Sequence, residues 1–361
     1  MDYRATYSRR QFLQRSGIVF AGASLAGLPA FPASATAAVR PAPGMPPPRF
    51  VQTNSIQLAL YEQGEGLPIV FCHGFPELAY SWRNQIGAFA TAGYRAIAPD
   101  QRGYGLSDRP SEIKDYAIAN LVDDLAGLLD ALKIDKAIFC GHDWGGGVAW
   151  MMPRYHPDRV LGIIGVNTPA FHPAYPRKPN NLIIRSDRYY TLTFQPPGIA
   201  EAVLEKDVRR SFEFFLRRGG MWNIDRFRAY PEDSPVRRLD LLTLVEQGNY
   251  EGELILQPNE LEYFVQTFEA TGFTGGLNWY RAAAAGNART DLVWDISVPC
   301  LYIGAEHDVV LPPSSADGME NYIADFERHT VADCGHWTQQ EQPAEFNRLA
   351  LSWLDRKFSA T

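Results

Sequence analysis

The sequence predicts an α/β protein, a mostly parallel central sheet flanked by helices and interrupted by an inserted helical lid. Three observations predict it. Short buried-type apolar runs recur at Ile69–Cys72, Arg95–Pro99, Ala137–Cys140 and Val160–Val166, each the length of a strand packed on both faces. Amphipathic stretches separate them, at about 79–91, 117–133 and 144–155, and strands alternating with helices close a parallel sheet through right-handed crossovers. The alternation then stops near Asn167. Residues 170–287 carry many aromatic and charged side chains and read as mostly helical, after which strand, helix, strand and helix resume at about 299–304, 312–324, 327–333 and 338–357. Insertions of this kind tend to cover the strand ends where open sheets bind ligands.

Taken from the N-terminus, residues 1–37 stand apart from the fold. Ser8-Arg9-Arg10-Gln11-Phe12-Leu13 is a twin-arginine motif, followed by a mild apolar run from Gly17 to about Ala30. Two small-residue cleavage patterns follow, Ala33-Ser34-Ala35 and Ala35-Thr36-Ala37, so cleavage falls after Ala35 or Ala37. A basic start, a short apolar middle and an A-x-A end make a signal peptide, and the arginine pair resembles the twin-arginine type. The run is too short and too rich in Gly and Ala to span about 30 Å of hydrocarbon. The expectation is an exported chain, periplasmic or secreted, with no membrane attachment after cleavage. A proline-rich lead-in (Pro41 to Pro48) precedes strands at about 50–53 and 56–62, with Gly64, Gly66 and Pro68 as punctuation. The expected division is a first core part over 48–169, a helical cap over 170–287 and a second core part over 288–361.

Composition narrows the function classes. Of 361 residues, 46% are hydrophobic and 21% charged, which suits a globular chain with a sizeable core. The net charge of −7 becomes −10 once the four arginines and one aspartate of residues 1–37 are removed. No block of like charges appears, which argues against nucleic acid and an anionic membrane surface as partners. Cys72, Cys140, Cys300 and Cys334 sit in or at the ends of apolar runs, where free cysteine packs as a small hydrophobe. Cys300 would begin its strand and Cys334 end the next, too far apart for a disulfide; a Cys72–Cys140 pair stays open. No zinc-ligand spacing, phosphate loop or dinucleotide fingerprint occurs, so no cofactor is expected.

The chemistry is carried by four short segments. Gly141-His142-Asp143-Trp144-Gly145-Gly146 ends a buried strand and opens a helix, the context of a sharp nucleophile elbow that needs small residues on both sides. Its central residue is Asp143, and a carboxylate attacks a strained or activated carbon to give an ester. A plain helix N-cap is the bland alternative. His73-Gly74-Phe75-Pro76 follows the Ile69–Cys72 strand; the Phe75 and Trp144 backbone N–H groups would form an oxyanion hole, in which one donor is worth about 3–4 kcal/mol. His336, in Cys334-Gly335-His336-Trp337 after the last strand, is the candidate base. Asp308, after the strand Cys300–Gly304, is its natural partner, with Glu306 as competitor and His307 beside it. His142 reads as filler of the elbow. Because Asp143 is already ionised at neutral pH, the histidine must activate the water that breaks the ester.

At this point the chain resembles the soluble epoxide hydrolase group of the α/β-hydrolases. His73–Pro76, Asp100-Gln101-Arg102-Gly103-Tyr104-Gly105 and Gly141–Gly146 match the group's core motifs. In the lid, Tyr190 precedes Phe194-Gln195-Pro196-Pro197-Gly198, and Tyr280 closes the stretch from Thr271 to Trp279. The resemblance implies that these two tyrosines hold the epoxide oxygen, that the substrate is a small epoxide opened with water, and that the fold is that of an α/β-hydrolase. Phenols suit that task, since ring opening leaves an alkoxide that needs a proton. Phe194, Phe212, Phe214, Phe215 and Trp222 are the candidate cavity-lining residues. The alternative is a haloalkane dehalogenase, in which the aspartate acts alike and Trp144 holds the halide with a second Trp or Asn donor. A non-catalytic ligand-binding version of the fold would lack a member of the set. A serine esterase would carry serine at the elbow.

Overall fold

A computed structural model describes residues 41–176, 179–286, 289 and 291–358. The twin-arginine segment lies outside the described residues. Eight strands form one sheet: β1 Arg49–Gln52, β2 Gln57–Gln63, β3 Leu67–Cys72, β4 Tyr94–Pro99, β5 Ala137–His142, β6 Val160–Val166, then β9 Cys300–Ala305 and β10 Phe326–Val331. Between the last two and β6 lies a two-stranded pair, β7 Arg217–Arg218 and β8 Glu253–Leu254. The large sheet runs in the order β1-β2-β4-β3-β5-β6-β9-β10. β2 pairs antiparallel with β1 and β4; every later pairing is parallel.

Local sequence explains the central strands. β5 and β9 are buried at every residue, as expected of strands covered by helices on both faces. β10 lies at the sheet edge and only Val331 is buried, so its side chains alternate toward water. Between β4 and β5 the helix Ile118–Ala131 buries Leu121, Val122, Leu125, Leu128 and Leu129, the i, i+3, i+4 stripe of an amphipathic helix. The four cysteines are free thiols and all buried, Cys72 and Cys140 included.

One expected element is different. Instead of a helix over 312–324 there are two 3-10 turns, Pro313–Ala316 and Met319–Asn321. The consecutive prolines at 312 and 313 remove N–H donors, and Gly318 takes φ +90 between the turns, so the segment cannot propagate an α-helix. The final helix likewise restarts at Pro343, as Thr338–Glu341 and Pro343–Phe358.

The insertion between β6 and β9 carries a series of helices between Tyr190 and Ala285, joined by turns and by the β7–β8 pair. Its two longest helices are Pro258–Thr271 and Thr274–Ala285. The second docks on the loop after β4. Trp279 Nε1 donates to Arg102 O at 3.0 Å, and a Cβ on Gly275 would lie 2.1 Å from Gly103 O, so only glycine lets the two backbones meet there. Arg102 is locked beneath by a buried two-point ion pair with Asp124, 2.7 Å at both contacts. No described helix is long and apolar enough to cross a membrane.

Candidate active site

β5 runs straight into the helix Trp144–Tyr155, and Asp143 sits at the turn with φ +50 and ψ −122. A residue with a Cβ rarely takes such a backbone, and the strain persists only where surroundings enforce it. They do: a Cβ on Gly141 would fall 2.2 Å from Gly145 O, and one on Gly145 would fall 2.2 Å from Cys72 O. Asp143 makes no side-chain cap bond to its helix, so the N-cap reading fails. Its Oδ1 instead accepts from the Phe75 backbone N–H at 2.9 Å, and its carbonyl accepts from Thr168 Oγ1 at 2.8 Å. Trp144 opens the helix, so its N–H is among the first-turn donors that a helix leaves unused.

Facing Asp143, His336 Nε2 stands 3.9 Å from Asp143 Oδ2 while Nδ1 meets Asp308 Oδ2 at 2.8 Å. Asp308 is fully buried and saturated: Oδ1 accepts from the Val310 and Leu311 N–H groups, and Oδ2 also from Asn167 Nδ2 at 2.7 Å. Burial pushes its pKa up, but the His336 charge and these donors outweigh that and hold it below the usual carboxylate range. Burial likewise pulls His336 down, yet the Asp308 carboxylate, then Asp143 and Glu77, carry it up to about 9. Glu306, the competitor, accepts from Asp333 N and is exposed.

Sequence reasoning missed a second buried layer. His142 is no mere filler: Nδ1 meets Glu77 Oε2 at 2.8 Å and Nε2 meets the His336 carbonyl at 2.7 Å. Burial alone would raise Glu77, but the His142 charge and the hydrogen bonds bring it to about 2. Glu77 Oε1 accepts from Gln340 Nε2 at 2.9 Å; Gln340 Oε1 accepts from Arg83, which pairs with Glu260 of the inserted helices at 2.6 Å. A continuous polar chain thus joins the cap to the backbone of His336. The one available signal was Glu77 itself, a carboxylate directly after His73–Pro76 in an apolar neighbourhood. Asn167, held at φ +58 at the end of β6, was missed as a partner of Asp308.

Phe75, Asp143, Tyr190, Phe194, Phe215, Trp222, Tyr280 and His336 line one cavity of about 40 Å³. Asp143, His336, Tyr190 and Tyr280 are thus brought together on one wall, with Asp308 behind His336. The Tyr190 and Tyr280 rings lie 6.0 Å apart, and burial pushes both phenols up, favouring the protonated form. Two expected lining residues are absent from this wall. Phe212 packs into the cap core on Phe264 and Phe268, and Phe214 turns to a neighbouring cavity; one helix, Val208–Phe215, cannot aim all its rings at one point. Trp144 packs edge-on against Tyr280 at 5.0 Å. Among the described residues no group of three His, Cys, Asp or Glu side chains is placed to hold a metal.

A sheet with this strand order, an elbow after β5 and an acid–histidine pair after β9 and β10 define an α/β-hydrolase. The family described as alpha/beta hydrolase fold matches residues 68–343. Epoxide hydrolase A of Mycobacterium tuberculosis is 40% identical, over 86% of this chain and 98% of its own. Bifunctional epoxide hydrolase 2 of Rattus norvegicus is 38% identical over 83% of this chain, which spans 53% of that relative's length. The crystal structure of epoxide hydrolase A from Mycobacterium thermoresistibile is similar with TM-score 0.68 and 33% identity, covering 85% of this chain and 97% of that one. An epoxide hydrolase from an endophytic Streptomyces gives TM-score 0.70 at 30% identity, over 87% and 96%. The chain belongs to the α/β-hydrolase family, in its epoxide hydrolase group.

Proposed function

We propose that this chain is an epoxide hydrolase, converting a small epoxide and water to a vicinal diol through an ester on Asp143. The observation that carries the reading is one cavity where a carboxylate, a histidine held from behind by Asp308, and two phenols converge. An Asp143 oxygen attacks an oxirane carbon, the C–O bond breaks, and the leaving oxygen takes a proton from Tyr190 or Tyr280. Burial favours the protonated form of both phenols beforehand. His336, oriented by Asp308, then takes a proton from water. The hydroxide attacks the ester carbonyl, and the Phe75 and Trp144 N–H groups receive the oxyanion. Collapse breaks the ester C–O bond; the expelled diol oxygen takes the proton held on His336, and the proton left on the Asp143 carboxyl returns to the tyrosinate, which restores carboxylate, neutral histidine and phenol. The Asp308 carboxylate does most to hold His336 protonated and Asp143 adds to it, so esterification, which removes the Asp143 charge, shifts His336 toward its neutral, basic form.

Replacing His336 with glutamine tests the scheme. Mixed with an epoxide, the variant should gain the substrate's full mass, with the adduct on the Asp143 peptide, and Asp143→Ala should gain none. Direct attack of water on the epoxide predicts no adduct in any variant. The dehalogenase reading is weaker: Trp337 already donates its N–H to Phe215 O at 2.7 Å, no asparagine is among the lining residues, and although Trp222 also lines the cavity, two phenols share it with Asp143, which suits a leaving oxygen rather than a halide. We further propose that residues 170–287 work as the cap over core parts 48–169 and 288–361. Export by the twin-arginine route is also proposed, resting on Arg9-Arg10 and the A-x-A patterns.

A further inference from the structure

The cavity around Asp143 measures about 40 Å³, whereas a dry apolar cavity that takes up benzene measures on the order of 150 Å³. As closed, the site has room for an oxirane ring and little else. Two larger cavities adjoin it, and Trp222 lines all three. One lies among the inserted helices, about 200 Å³, with Phe214, Tyr230, Val236, Leu244 and Tyr250 on its wall beside an exposed Glu251 and an Arg217 whose guanidinium already donates to the Glu213 and Gly252 carbonyls. Gln247 and Asn249, both exposed, mark its solvent mouth. The other, about 320 Å³, carries Arg218, Glu253, Asp333 and Glu341. The second carries four charged side chains and His307 against two charged side chains in the first, so an apolar group entering it would strip water from more charge, and the first is the natural recipient.

Trp222 is built to yield. It ends the 3-10 turn Gly220–Trp222 behind Gly219 and Gly220, whose φ values are +71 and +53. Its ring rests on Phe214 at 5.7 Å, and among the described residues its indole N–H makes no hydrogen bond. Turning the ring therefore costs packing alone.

We propose that Trp222 is a specificity-determining partition, and that the non-reacting arm of the substrate passes it into the cap cavity. The substrate class is an oxirane bearing one flat or linear apolar arm, with any polar end at the mouth beside Gln247 and Asn249. This inference rests on the epoxide hydrolase reading and extends it.

The test compares methyloxirane with phenyloxirane and 1,2-epoxyoctane, reading the ratio of kcat/KM for each long substrate over the short one. Trp222→Ala removes the partition and should raise the ratio tenfold or more. Val236→Phe fills the cap cavity from its far wall and should lower the ratio by a similar factor. Thermal unfolding by circular dichroism checks each protein, and Trp222→Leu replaces Trp222→Ala if the latter does not fold. Opposite shifts of threefold or more support the partition; smaller shifts, or two in the same direction, overturn it. A folded parent that hydrolyses no epoxide overturns the reaction itself, and the partition with it. A parent that is active with an unmoved ratio overturns the partition alone.

Discussion

Gly74→Ala should disable the enzyme without unfolding it. A Cβ built on Gly74 lies 2.4 Å from Asp143 Cβ, 2.6 Å from its Oδ1 and 2.9 Å from its Cγ, where ordinary van der Waals contact begins near 3.4 Å. The carboxylate must retreat by about 1 Å, a misplacement that costs on the order of 10²-fold in rate. The retreat also lengthens the bond from the Phe75 N–H, a donor of the kind worth 10²–10³-fold (roughly 3–4 kcal/mol) in the transition state. Because one feature causes both effects, they overlap, and kcat should fall about 10²- to 10³-fold. Gly147→Ala is the control: it makes the same chemical change one turn into the helix, where nothing lies within 4 Å. It should keep the rate and add up to about 1 kcal/mol of stability through helix propensity. Steady-state kcat on one epoxide, single-turnover ester formation and Tm would be measured for all three proteins. If Gly74→Ala kept more than a tenth of the parent's kcat at native Tm, the tight seat of Asp143 would be refuted.

Tyr190→Phe or Tyr280→Phe alone should slow ester formation and leave residual turnover, while the double change nearly abolishes it; equal rates for both singles and the parent would remove the tyrosines from the mechanism. The raised pKa of His336 favours its protonated form in the fold, so the His336–Asp308 pair stabilises fully below about pH 6.5, the unperturbed value, and that stabilisation is lost as pH rises through about 9. Tm of the parent should accordingly fall faster than that of His336→Gln between pH 7 and 10, and parallel curves would contradict the assignment. Asp124→Ala leaves Arg102 buried without its partner, which should cost about 3–5 kcal/mol in denaturant unfolding; a loss under about 1 kcal/mol would show the pair to be dispensable. Lysine at both positions 9 and 10 should hold the precursor in the cytoplasm at full length, and normal processing would point to a general secretory signal instead.

The parts of this protein legible in its sequence are those fixed by neighbours along the chain. Short apolar runs that alternate with amphipathic helical stretches read as buried strands, which is why β3, β4, β5, β6 and β9 fall where expected to within a few residues. The elbow was equally plain, because Gly141 and Gly145 are required by contacts within a few residues of Asp143 and with the adjoining β3. His336 and Asp308 could be singled out because each follows a strand whose end faces the elbow. The two tyrosines were singled out by resemblance alone, since among 17 tyrosines nothing local marks a pair for the role proposed for them. The segment 312–324 misled because its apolar spacing is compatible with a helix, while its prolines and Gly318 decide the backbone.

What the tertiary structure alone decided involves groups that distance along the chain hides. His142 meets the His336 carbonyl across 194 residues, and Arg83 meets Glu260 across 177. No composition or period encodes such a pairing, because the energy that selects it is that of satisfying buried polar atoms, and which atoms are buried together is known only after the sheet has closed. The same holds for the aromatic residues of the cap. Phe212, Phe214, Phe215 and Trp222 are alike as letters, yet packing sends one to the cap core, one to the outer cavity, one to the wall beside Asp143, and leaves the last standing between cavities. The chain thus declares its reaction in the short segments around Asp143, Asp308 and His336, while the room its substrate is given is decided by how the inserted helices settle over them.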